Sequence, residues 1–68
     1  MNEETFNASI RQFLKTVGIT SQREIEKTVW SQIEKKQLKG NETLPATMRL
    51  EIPALGVNLT ITGDITLE

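Results

Sequence analysis

Cysteine and histidine are both absent from this chain. Without cysteine there are no disulfides and no thiolate metal sites. Without histidine the commonest zinc ligand and the commonest general base are missing too. No apolar run reaches the ~18 residues that a transmembrane helix needs, so no membrane span is expected. The opening "MNEETFN" is acidic and has no apolar stretch suited to a signal peptide, which makes the cytoplasm the expected location. No internal repeat or low-complexity segment occurs. Length is also short: a folded chain of 68 residues buries only roughly 60% of its unfolded surface. Small domains usually add disulfides, a metal or a partner subunit. With the first two removed by composition, self-association is the expected extra source of stability.

What is present is ordinary for a folded domain: 37% apolar and 25% charged residues. The net charge is −1 but is unevenly spread. Residues 1–10 carry −2 from Glu3 and Glu4. Residues 11–39 carry seven basic groups against Glu24, Glu26 and Glu34, a net +4, and residues 40–68 carry −3. The middle segment is therefore the candidate basic surface.

Phe6, Ile10, Phe13, Leu14 and Val17 recur at helical spacing and fill a stripe roughly 100° wide, with Arg11 and Lys15 opposite. This predicts an amphipathic helix over about residues 3–17, stopped by Gly18 as a left-handed cap. "SQRE" then reads as a capping box, with the Ser21 hydroxyl and Glu24 serving each other's end of a new helix. Ile25, Val29 and Ile33 continue it, Leu38 closes it, and Gly40-Asn41 ends it. Lys35, Lys36 and Lys39 would then crowd the last turn, where cations complement the helix dipole. On this reading Ser21→Ala removes a cap and costs about 1 kcal/mol.

After Asn41 the period changes to two. "MRLEI" and "VNLTIT" alternate apolar with polar residues and predict two half-buried strands. "PALG", Pro53 to Gly56, supplies a four-residue hairpin loop. Placing Ile52 opposite Val57 sets Leu50 opposite Leu59 and Met48 opposite Ile61, which puts every apolar residue on one face. The parity persists to Ile65 and Leu67, so one long second strand through Gly63 is preferred to a turn there. "KGNETLPA" is left as the linker. The predicted fold is α+β, one domain over 1–68: an αα-hairpin (3–39) packed on one face of a C-terminal β-hairpin (43–68).

"MNEETFN", "VGITSQREIEK", "LKGNETLPA" and "LEIP", taken together, resemble a family of short bacterial proteins about 70 residues long, classed as a domain of unknown function. The resemblance spans nearly the whole chain and implies a bacterial cytosolic protein. It brings no catalytic or binding residues with it.

Chemistry is thinly represented. Ser9, Ser21 and Ser31 have no adjacent base to activate them. Glu24 and Glu26 are two apart on a helix and point away from each other. The four glycines are scattered and make no phosphate-cradling loop. Asp64 and Glu68 are too few for a calcium loop. We therefore expect no enzyme, no cofactor and no metal. A helix, a short turn and a second helix resemble a helix-turn-helix. Arg23 and Lys27 would meet phosphates in that reading, but Glu24 and Glu26 at the helix start and the negative net charge oppose it. Trp30 is read either as covering the edge of a core or as a partner contact with Arg23 and Lys27 beside it. The expected function is protein–protein association, with an unidentified protein partner or as a homodimer; the alternative is a weak winged-helix-like nucleic-acid binder that uses the basic second helix. The dimer would use the edge of the second strand, lined by Asn58, Thr60 and Thr62.

Overall fold

The computed structural model describes residues 1–68. The chain divides into two compact units, Met1–Gln37 and Leu38–Glu68. The first is a single helix, α1 (Glu3–Glu34). The second is an antiparallel hairpin of β1 (Thr43–Ile52) and β2 (Val57–Thr66), joined by a 3-10 turn over Pro53–Leu55.

Helix α1 opens where the first stripe predicts. Asn2 is its N-cap: the side-chain Oδ1 accepts the Thr5 N–H at 3.0 Å, satisfying one of the amides that a helix start leaves free. Glu3 and Glu4 follow in the first turn, where carboxylates complement the dipole.

The expected break at residues 18–21 does not occur. The helix runs through Gly18 and Ser21 without interruption, so there is one helix and not an αα-hairpin. Gly18 is not among the positive-φ glycines. The physical reason is a comparison of costs. A mid-helix glycine costs about 1 kcal/mol relative to alanine. A stop and restart strands carbonyls on one side and amides on the other, and nucleation must be met a second time. Ser21 is consequently no cap. The polar side chains around it bond along the helix surface instead. Gln22 Nε2 donates to Glu26 Oε1 at 2.9 Å, and the Thr28 hydroxyl donates to Glu24 Oε1 at 3.3 Å.

The helix also ends earlier than Gly40-Asn41. Lys35 is the C-cap and Lys36 adopts φ 62°. The Lys36 N–H donates to the Ile33 carbonyl at 3.0 Å and the Gln37 N–H to the Gln32 carbonyl at 2.8 Å. These two bonds make a Schellman motif with lysine where glycine is usual. Lys35, Lys36 and Lys39 therefore lie beyond the last helical turn, which holds no basic residue. Glu42 then holds the turn that follows. Its carboxylate accepts the N–H groups of Lys39, Gly40 and Asn41 at 2.9, 2.9 and 3.2 Å. A side chain that captures consecutive amides competes directly with helix continuation.

The hairpin follows the expected register: Ile52 faces Val57, Leu50 faces Leu59 and Met48 faces Ile61. Gly56 closes the turn at φ 66°, donating its N–H to the Pro53 carbonyl at 3.1 Å. β2 passes through Gly63 as one strand. β1 is longer than "MRLEI". It begins at Thr43 and absorbs Leu44, Pro45 and Ala46 from the expected linker, because Leu44 and Ala46 keep the same parity and find Ile65 and Gly63 opposite them.

No residue of either unit is buried. The second of the two expected helices does not exist, and within each unit every apolar side chain is half-buried or exposed. Phe13 is 55% exposed, Leu59 51% and Ile61 53%.

Candidate association surfaces

The ladder geometry decides which backbone groups of the hairpin are free. The Leu67 N–H donates to the Glu42 carbonyl at 3.0 Å, so Glu42 and Leu67 form a pair of the hydrogen-bonded kind. Such pairs alternate along an antiparallel ladder. Leu44–Ile65, Ala46–Gly63, Met48–Ile61, Leu50–Leu59 and Ile52–Val57 are then turned inward. The residues between them direct N–H and C=O outward: Thr43, Pro45, Thr47, Arg49 and Glu51 on β1, and Asn58, Thr60, Thr62, Asp64 and Thr66 on β2.

The two edges differ in chemistry. On β1, Pro45 falls in the outward row, where its missing N–H costs the ladder nothing but leaves the edge without a donor. Pro53 sits in the 3-10 turn beyond the strand and takes no part in this row. Arg49 and Glu51 follow in the β1 row as an ion pair, Nε to Oε1 at 2.9 Å. Proline and charge are the usual means of blunting an edge. β2 has neither along Asn58, Thr60 and Thr62. All five of its outward residues carry an N–H, and Asp64 alone is charged. Asn58 is held from the polar face, its Oδ1 accepting the Arg49 Nε–H at 3.1 Å.

Arg23, Lys27 and Trp30 fall together on α1. Taking Arg23 as zero, Lys27 lies about 40° one way and Trp30 about 20° the other. Trp30 is 66% exposed. No residue of α1 around it is buried. Lys27 Nζ is 3.9 Å from Glu24 Oε2, and both side chains are well exposed, a pair too loose to add measurable stability. The helix-turn-helix that would have aimed Arg23 and Lys27 at nucleic acid is absent, because α1 contains no turn.

Two structural residues escaped the sequence reading. Asn2 was legible as a cap residue ahead of "EE". Glu42 was legible only as an acid beside Gly40-Asn41; its three amide bonds depend on the turn that they create. The Lys39 amide, and next the Gly40 amide, hold its carboxyl below the usual glutamate range.

No three His, Cys, Asp or Glu side chains are grouped to hold a metal ion, and no helix is long and apolar enough to cross a membrane. The whole chain, residues 1–68, matches the model described as "Family of unknown function (DUF6494)". The chain belongs to this family. The resemblance carried by "VGITSQREIEK" and its companion strings is thereby borne out. Neither the curated proteins nor the solved structures contain a match.

Proposed function

We propose that this member of the family is a non-catalytic association module that pairs with a second copy of itself through the β2 edge. The observation that carries the reading is the unprotected outward row of β2 beside an apolar face with no buried residue. A two-stranded ribbon is marginal in water, and further strands or a packed helix are needed to hold it. Joining β2 to its symmetry mate makes a four-stranded sheet and satisfies one open row per chain. A two-fold axis at Ile61 places Thr60 opposite the partner's Thr62 and Asn58 opposite the partner's Asp64. That register keeps the two Asp64 carboxylates apart.

The test uses the position of the free amides. Thr60→Pro removes an outward N–H and leaves the intramolecular ladder intact. In sedimentation equilibrium from micromolar to millimolar chain, the wild type should assemble and Thr60→Pro should weaken that assembly at least tenfold. Equal association by the two proteins would refute the edge as the contact.

A further inference from the structure

We infer that the N-terminal half of α1 is a second self-association surface, which pairs antiparallel with the same stripe of another copy. The inference rests on the self-association reading above but uses a different face, so the two can fail separately.

The first argument is spacing. Within the stripe, Phe6, Ile10, Phe13 and Val17 form the central line, with Leu14 (56% exposed) at its flank; the four are separated by four, three and four residues. This order reads the same in both directions. An isologous contact needs a surface that matches itself when reversed. An antiparallel pair centred between residues 11 and 12 sets Phe6 against the partner's Val17 and Ile10 against the partner's Phe13, the alternation of a short coiled-coil seam. The stripe is about 16 Å long.

The second argument is exposure. Phe6, Ile10 and Phe13 are 49%, 40% and 55% exposed, and no charged residue interrupts the stripe, since Arg11 and Lys15 lie on the opposite face. On a continuous helix the same line leads on to Thr20, Ser21 and Glu24. Sliding the partner by one heptad would set Phe6 against Glu24, so the register is specified from both ends.

Direction follows from charge. Parallel pairing would bring Glu3 and Glu4 of two copies side by side at aligned helix N-termini. Antiparallel pairing sets Glu3 opposite the partner's Thr20 and opposes the two dipoles. The occupant is a second copy rather than an unrelated helix because the match is internal to the stripe. A stable interface buries on the order of 1,200 Å² or more, and edge-to-edge strand pairing covers only a narrow ribbon of main chain, which leaves room for a second contact between copies.

The experiment compares the wild type, Phe13→Glu, Gln12→Glu, Thr60→Pro and the Phe13→Glu/Thr60→Pro double variant by sedimentation equilibrium on the full chain. Glutamate is a good helix former, so Phe13→Glu keeps helical propensity while burying a charge in the seam. Gln12→Glu adds the same charge on the far side. Phe13→Glu should weaken association at least tenfold, Gln12→Glu should leave it unchanged, and the double variant should be monomeric. Association of Phe13→Glu equal to wild type overturns the helix surface and leaves the β2 edge standing. An effect of Phe13→Glu with none from Thr60→Pro does the reverse, and a monomeric wild type overturns both. Orientation is read from a nitroxide on Glu3→Cys. Antiparallel pairing separates the two labels by roughly 25 Å, against roughly 10 Å for parallel. The short distance overturns the arrangement.

Discussion

Gly18 and Gly56 are the same residue under opposite backbone demands. Gly18 sits inside α1, and a Cβ there meets nothing within 4 Å. Gly18→Ala should therefore stabilise the helix by about 1 kcal/mol, and Ser21→Ala, no longer the loss of a cap, should shift stability the same way by a smaller amount. Gly56 also has open space around it but holds φ 66°. Gly56→Ala forces an L side chain into the left-handed region and should destabilise the hairpin by about 1–2 kcal/mol. Thermal unfolding followed by circular dichroism measures all three. A lower midpoint for Gly18→Ala or Ser21→Ala would restore the break that the capping-box reading expects. Lys36, also at positive φ, is the one non-glycine residue in such a conformation. It is held there by the two bonds that close α1.

Among the elements, the turn from Lys39 to Glu42 depends most on solution conditions. The Glu42 carboxyl is held below its ordinary value by amide bonds that only the ionised form accepts well. A group depressed in the folded state contributes stability above its unfolded pKa, and that contribution is lost as pH falls through the folded value. The turn should thus be constant near neutrality and loosen only on acidification past the usual glutamate range. The amide resonances of Lys39, Gly40 and Asn41 report this in an acid titration. Glu42→Gln should abolish the transition and leave those amides in a neutral-pH position close to the acid limit of the wild type. An unchanged titration in Glu42→Gln would assign the transition to another group.

At the scale of the whole molecule, the absence of any buried residue makes assembly the expected source of stability. Binding that favours the folded chain stabilises it by mass action. Isolated helices are marginal in water, so association and order should rise together with concentration. On the proposed reading, nucleic acid should compete poorly for these surfaces. The net charge is −1, and Arg23 and Lys27 share α1 with Glu24 and Glu26. Titration with a random DNA duplex at two salt concentrations should give at most weak binding that disappears at physiological salt, since phosphate contacts weaken steeply with ionic strength. Sub-micromolar affinity that survives the higher salt would reverse this ranking.

Much of the fold was legible in local pattern. The start of α1, the "PALG" turn, the register of Ile52 on Val57 and the passage of β2 through Gly63 all follow from a period of residues and a few backbone preferences. These interactions reach only a few positions along the chain or across one turn. The candidate edge was legible in the same way, because parity alone places Asn58, Thr60 and Thr62 in one row. The two helical stripes were legible too, but not their connection. Measured from Phe6 at 100° per residue, the first stripe centres near 25° and Ile25, Val29 and Ile33 near 140°, an offset of roughly 115°. A sequence read for one apolar face interprets that offset as two helices with a corner between them. The structure keeps the helix continuous and lets the stripes diverge, because unbroken backbone hydrogen bonding outweighs one glycine when no core requires the stripes to align. The end of α1 was likewise not legible in the apolar pattern: the Lys36 and Gln37 amides close the helix, and the grip of the Glu42 carboxylate on the Lys39, Gly40 and Asn41 amides exists only once the chain has turned.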